Sequence, residues 1–413
     1  MMKRVVITGL GVVAPNGLGK DLFWKANIEG VSGVDKLSDF NVSSLNSKIA
    51  AQVKNFDPLD FAPLAIVRKT DRFVHLGLGA GKLAIEDSGL KLGEIDKKRV
   101  GVSIGSGLGG ILFHEYQIAT MYEKGLNRAE PLGVPKVAPN AVSGYISIQY
   151  GFKGPNIAPS TACSSGAHGI GQGYDLIRLG RAEIMIAGGS EAPLTPYTFS
   201  AFNALRALSK RNDSPQEASR PFDKERDGFV MGEGSGVVVL EELNHAKKRG
   251  AHIYAEIIGY ALTSGAYHMV MPVPEGKDAA RTIALALKEA NIEPKDVDYI
   301  NAHGTSTQAN DKAETQAIKE TFGEYAYKIP VSSTKSMIGH TIGASGAIEV
   351  IVCCLTIENK LIPPTINYKY PDPECDLDYV PNEARERKVN IALSNSFGFG
   401  SNNVCIVIGK FNE

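Results

Sequence analysis

A helix loaded with glycine persists only where neighbours press closely on its backbone, and this chain carries one directly after a run of small residues. The stretch Asn156-Ile157-Ala158-Pro159-Ser160-Thr161-Ala162-Cys163-Ser164-Ser165-Gly166-Ala167-His168-Gly169-Ile170 reads as a short extended segment, a tight turn and a helix start. Gly166, Gly169, Gly171 and Gly173 fall inside that helix, which closes through Asp175 to Leu179 at Gly180. Each glycine costs a helix interior about 1 kcal/mol against alanine, so the helix must be buried. Cys163 is expected at its N-terminus, where unpaired N–H groups and the macrodipole favour a thiolate. That suits a nucleophile, although a lone cysteine in such a turn is more often a buried structural thiol.

At 413 residues the chain exceeds one typical core, which predicts two domains or one duplicated body. A net charge of -1 argues against wholesale nucleic-acid binding. Cys163, Cys353, Cys354, Cys375 and Cys405 form no C-x-x-C pair, and an odd count suits a reducing compartment. The N-terminus enters a strand at once, and no run is read as reaching the ~18 apolar residues that span a bilayer. A soluble, cytoplasmic protein is expected, with no membrane partner.

Two glycine runs follow strands. Gly9-Leu10-Gly11-Val12-Val13-Ala14 and Gly105-Ser106-Gly107-Leu108-Gly109-Gly110 formally match dinucleotide fingerprints. The first runs into Pro15-Asn16-Gly17 instead of a helix, and no acidic residue closes a second strand. Tight turns and close backbone packing are the favoured reading. The order of elements then repeats. A helix at Phe73 to Leu90 and strands at Val100 and Ala182 precede Gly236 to Leu240. A strand at Ile253, a helix at Asp278 to Ala290 and strands at Val297 and Asn390 follow. Ser333-Thr334-Lys335-Ser336 stands before a second glycine-rich helix as Ser160-Thr161-Ala162-Cys163 stands before the first. This predicts two α/β repeats with buried parallel strands and a border near residue 252.

His303 follows the Val297 strand, at the carboxyl end where open α/β sheets gather ligands. His340 opens the second glycine-rich helix, whose N-terminus keeps an imidazole neutral and able to donate one N–H. Singly, each histidine reads as structural. A cysteine and two histidines, each in a small-residue turn of a duplicated chain, form a catalytic constellation.

Thr161-Ala162-Cys163-Ser164-Ser165-Gly166, Asn301-Ala302-His303-Gly304-Thr305-Ser306-Thr307, Lys335-Ser336-Met337-Ile338-Gly339-His340 and Asn395-Ser396-Phe397-Gly398-Phe399-Gly400 together resemble the condensing enzymes of fatty-acid synthesis, the beta-ketoacyl synthases. The similarity runs from Val5 to the last strand. It implies the thiolase fold: α/β, duplicated, in five layers. An N-terminal half, 1–252, would carry the nucleophile and a C-terminal half, 253–413, the histidines and gating loop. It implies a homodimer, with pairing to a ketosynthase-like subunit left open, and no organic cofactor and no catalytic metal.

The resemblance assigns roles residue by residue. Cys163 would take the acyl group from an acyl-carrier protein, with an oxyanion hole from the N–H groups of Cys163 and Phe399. His303 and His340 would hold the enolate formed as malonyl-carrier protein loses CO2. Lys335 and Glu349 would support them. The bland alternative for Lys335 is a buried ion pair with Glu349 or Glu314. Thr305 and Thr307 match threonines that bind pantetheine amides, Phe399 the gate, and Phe202 and Leu108 the acyl-pocket lining. A structural monovalent cation held by Asn301, Glu314, Glu349, Ser394 and Asn395 is a further carry-over. Arg68, Lys69 and Arg206 would meet the acidic carrier protein. The chain departs from the pattern at Ser401, where the gating loop usually has glycine, at Gly265, usually acidic, and at Ala65, usually basic. A specialised polyketide or aryl-polyene ketosynthase and a non-catalytic chain-length-factor partner remain as alternatives. A nucleotide-dependent oxidoreductase rests only on the glycine runs.

Overall fold

The computed structural model describes residues 2–412. Ten strands make one continuous sheet path. They are β1 Val5–Ala14, β2 Val100–Gly105, β3 Asn156–Ile157, β4 Ile184–Glu191 and β5 Gly234–Glu242, then β6 Ala255–Ser264, β7 Tyr299–Asn301, β8 Val331–Ser332, β9 Ile391–Gly398 and β10 Asn402–Gly409. The first five run in the order β3-β2-β4-β5-β1 and the second five in the order β8-β7-β9-β10-β6. The two orders are the same topology repeated. They join where Val5–Ile7 of β1 pairs antiparallel with Ala255–Ile257 of β6.

Only part of each sheet is parallel. β2 lies parallel to β3 and β4, and β7 to β8 and β9, whereas β5, β1, β10 and β6 pair antiparallel with their neighbours. The expectation of parallel strands is corrected to that extent. Helices cover both sheet faces, so parallel and antiparallel strands alike are buried and largely apolar, and the sequence pattern carries no sign of strand sense.

Five helices supply the other layers: α1 Arg72–Asp87, α2 Ser165–Arg178, α3 Lys277–Ala290, α4 Gln308–Phe322 and α5 Ser345–Asn359. α1 covers the outer face of the first sheet. α3, with α4 beside it, covers the second, and α2 and α5 lie together between the sheets. The result is the expected duplicated five-layer α/β arrangement of the thiolase fold. Close packing explains the glycines of α2. A Cβ on Gly169 would lie 2.4 Å from the Gly188 carbonyl oxygen, and one on Gly171 2.1 Å from the Tyr260 ring.

Three expectations change in detail. Gly9 and Gly11 make no turn but sit inside β1, where a Cβ would lie 2.3 Å and 2.0 Å from carbonyl oxygens of α1. Close helix–strand approach, not chain reversal, demands glycine there. Ile342–Asn359 is apolar enough to cross a membrane, with a mean hydropathy of 1.4, yet 89% of it is buried in the protein. Interleaved glycines and serines hid its apolar character in the sequence. The repeat register also shifts. The single turns Ala162–Ser164 and Ile342–Ala344 lead directly into α2 at Ser165 and α5 at Ser345. Thr161-Ala162-Cys163-Ser164-Ser165-Gly166-Ala167 therefore corresponds to Thr341-Ile342-Gly343-Ala344-Ser345-Gly346-Ala347, not to the Ser333–Ser336 segment. Ala162 and Ile342 both take positive φ, 51° and 46°, a conformation that composition does not signal.

Candidate active site

The carboxyl ends of β7 and β9 and the start of α2 converge on a cavity of about 550 Å³. Its walls include Cys163, His303, His340, Phe399, Phe202, Thr305 and Thr307, so residues spread over more than two hundred positions of sequence meet in one place. Lys335 lies behind the histidines. Leu108 does not line this cavity in the single chain; it is 37% exposed, on the side where Leu112 and Tyr116 also reach the surface.

Cys163 stands at the mouth of α2 as the turn predicts, but the expected thiolate is not the resting state. Burial pushes the thiol up to about 11, against opposition from the Lys335 charge and the Phe399 N–H. Loss of solvent outweighs both in this dry site. The backbone N–H groups of Phe399 and of Cys163 itself both approach the sulfur. Gly398 permits this, because a Cβ there would lie 2.7 Å from Thr161 O and 3.2 Å from Cys163 N.

The two imidazoles are fixed in one tautomer by their neighbours. Lys335 Nζ, which can only donate, lies 3.3 Å from His303 Nδ1, so that nitrogen accepts and the proton sits on Nε2. His340 Nδ1 accepts the Ile342 N–H at 3.2 Å and lies 2.9 Å from Ser345 Oγ, which again leaves the proton on Nε2. Burial lowers both histidines well below 6.5, and the Lys335 charge lowers them further. Their rings stand 5.4 Å apart, edge to face. Phe229, which the sequence reading did not single out, packs edge-on against His340 at 5.4 Å and against Phe202 at the same spacing. It belongs to none of the sequence motifs.

Lys335 is 1% exposed and pairs with Glu349, also 1% exposed, which selects Glu349 over Glu314 as its partner. Burial raises the Glu349 carboxyl. Glu314 instead accepts the backbone N–H groups of His303 and Gly304, both at 2.8 Å, and so anchors the loop after β7. Thr305 and Thr307 lie side by side, their hydroxyls 2.9 Å apart.

A second cluster lies beneath. Asn301 Oδ1, Glu349 Oε2, Ser394 Oγ and Asn395 Oδ1 are buried without any hydrogen-bond partner. Asn301 and Ser394 are direct cross-strand neighbours on β7 and β9. Buried oxygens are almost always satisfied, so four orphans among the five residues expected to hold a monovalent cation fit such an ion. Among the described residues no His, Cys, Asp and Glu cluster has the spacing of a metal centre.

The segment expected to gate the pocket carries Ser401 where the family pattern has glycine. Ser401 has φ +61°, and its hydroxyl donates to the His268 carbonyl at 3.1 Å, while Gly400 N donates to Met269 O at 2.8 Å. The segment Gly265–Met271 and the loop after β9 are thereby tied together. Gly265 leaves its space to Asp278, whose Oδ2 would be 2.4 Å from a Cβ there.

Comparison with known proteins agrees with this geometry. The family model "Beta-ketoacyl synthase, N-terminal domain" matches residues 2–246, and "Beta-ketoacyl synthase, C-terminal domain" matches residues 254–369. The chain is 50% identical over 408 residues to 3-oxoacyl-[acyl-carrier-protein] synthase 2 of Coxiella burnetii, covering 99% of each. It is 48% identical to the protein of the same name from Synechocystis, covering 99% of this chain and 98% of that one. Among solved structures, a type II polyketide ketosynthase in complex with its acyl-carrier protein matches with a TM-score of 0.93 and 39% identity over the whole of both chains. A beta-ketoacyl synthase from Burkholderia phymatum matches with a TM-score of 0.93 and 36% identity, again over both chains entirely.

Proposed function

Because this chain belongs to the beta-ketoacyl synthase family, we propose that it is an acyltransferase of fatty-acid elongation, joining an acyl group to malonyl-carrier protein with loss of CO2. The observation that carries this is two imidazoles locked as Nε2–H donors on the same cavity as a sulfur approached by two backbone amides. Cys163 attacks the acyl-carrier thioester; the carrier's thiol leaves with the proton that the cysteine gives up. The N–H groups of Cys163 and Phe399 hold the oxyanion of the tetrahedral intermediate. Malonyl-carrier protein then enters, its pantetheine amides received by Thr305 and Thr307. The bond to the carboxylate breaks, CO2 departs, and the electron pair is held as an enolate by His303 and His340. Neutral donors serve here, because a protonated imidazole would have to be desolvated with its charge. The enolate carbon attacks the acyl-Cys163 carbonyl, the thiolate leaves, and 3-oxoacyl-carrier protein is released. Lys335 and Glu349 hold the His303 tautomer and move no proton. Phe399 gates the pocket, and Phe202 and Leu108 bound the acyl chain.

The nucleophile half, 1–252, and the histidine half, 253–413, act as one body in this reading. A monovalent cation held by Asn301, Glu349, Ser394 and Asn395 would supply fixed positive charge to those four oxygens. The acyl-carrier protein docks at a basic rim that includes exposed Arg68, Lys69 and Arg206, the last of which also lines the cavity. A second copy of the chain covers apolar residues such as Tyr122, Val134 and Ile148, which are 89%, 79% and 72% exposed; Leu108 then meets the partner. The protein works in the cytoplasm and needs no organic cofactor.

Intact-protein mass spectrometry with acyl-carrier proteins of graded chain length tests the proposal. Label on Cys163 is expected with saturated chains, abolished in Cys163→Ala, while malonyl decarboxylation persists. His303→Ala is expected to spare acylation and to lose decarboxylation about a hundredfold or more. Condensation surviving in both variants would overturn the assignment. The 39% identity to a type II polyketide ketosynthase favours a specialised pathway as second reading, which label from one dedicated carrier alone would select.

A further inference from the structure

Glu191, the last residue of β4, is a wholly buried carboxylate that the proposed reaction does not use. Its partners are four neutral donors. Oε1 accepts from Ser106 Oγ at 2.8 Å and Leu108 N at 3.1 Å, and Oε2 from Gly107 N at 2.6 Å and Gly343 N at 3.1 Å. The fit allows no side chain: a Cβ on Gly343 would lie 2.4 Å from Oε2, and one on Gly107 2.9 Å. The loop after β2, which carries the second glycine fingerprint, therefore spends its amides on the protein's own carboxylate and has none to offer a phosphate.

Gly343 holds in the second half the place that Cys163 holds in the first. Glu191 thus fills the counterpart of the catalytic cavity and braces two loops that reach the working one. Gly343 directly follows Ile342, whose N–H fixes the His340 tautomer and whose side chain lines the cavity. On the other side, Ser106 N donates to Pro159 O at 3.2 Å, and a Cβ on Gly107 would lie 3.4 Å from Ala162. The carboxylate reaches the His340 turn by one hydrogen bond and the Cys163 turn through an intervening loop, its charge adding a smaller upward push on the Cys163 thiol than burial does.

We infer that Glu191 is a positioning residue for decarboxylation, holding the Gly343 turn so that His340 meets the enolate oxygen, while acylation of Cys163 depends on it far less. This rests on the condensing reaction proposed above. Four donors on two oxygens leave no room for an amide, because a Gln nitrogen would face at least one backbone N–H. Purified Glu191→Gln and wild type are compared in CO2 release from malonyl-carrier protein and in acyl label on Cys163. Glu191→Gln is expected to lose about tenfold in decarboxylation and less than about threefold in acylation. Where Glu191→Gln fails to fold, Glu191→Asp decides by the same split, since its shorter chain keeps the charge but cannot span all four donors. A folded variant in which both half-reactions fall together, or neither falls, overturns the inference. A wild-type protein that neither takes acyl groups nor releases CO2 would instead overturn the condensing reading itself.

Discussion

The turn that carries Cys163 and the turn that carries Gly343 have nearly the same backbone and opposite contents. Each begins with threonine, places its second residue at positive φ and opens a buried helix at a serine. What separates them is the strand end that each one faces. Gly398, at the end of β9, faces Cys163 with no side chain, and a cavity opens beside the sulfur. Glu191, at the end of β4, faces Gly343 and occupies the space completely. A duplicated fold has two equivalent places for a site, and one residue across from each turn decides which is open.

The largest effect expected from this comparison comes from moving the nucleophile. Cys163→Ala combined with Gly343→Cys should take no acyl label from any carrier, as measured by intact mass. The new side chain would collide with Glu191, and no histidine faces it. Label at residue 343 would mean that the facing residue does not govern the site. A smaller effect concerns charge. Only the thiolate is alkylated, and a thiol raised to about 11 loses reactivity as pH falls below that value. Iodoacetamide should therefore label Cys163 about tenfold faster per pH unit between pH 7 and 10, without a plateau. A plateau near neutrality would show that the helix N-terminus outweighs burial. The smallest change is expected at the gate. Ser401→Gly relieves a positive φ that costs about 1 kcal/mol and removes the hydroxyl bond to His268 O, two effects of opposite sign. Thermal stability should move by less than about 1 kcal/mol, while long-chain acylation rises about twofold as the loop frees itself from residues 265–271. An unchanged acylation rate would remove Ser401 from the gate.

The proposed catalytic set was legible because its chemistry is rare: a cysteine and two histidines in small-residue turns, each beside a glycine-rich helix or a strand end. The Lys335–Glu349 pair was named beforehand as one of two choices. Phe229 and Glu191 were not singled out. Neither belongs to a motif, and both matter only through the residues they touch. The sequence reading matched the repeats through a Ser-Thr pair and missed the register of the turns, since the shared feature is a dihedral angle at Ala162 and Ile342 that their side chains do not announce. It also read tight turns together with close backbone packing into the first glycine run; the packing against helix α1 is there, but β1 continues without a turn.

By itself the sequence determined the duplicated α/β order, the burial of the glycine helix and the residue types available for acyl transfer. Periodicity, glycine content and side-chain chemistry are local properties that a chain carries before it folds. The tertiary structure alone decided that Cys163 rests as a thiol, that both imidazoles present Nε2–H, and that the second turn is closed by Glu191. Desolvation, tautomer and occupied volume are properties of an environment, and that environment exists only when both halves pack together.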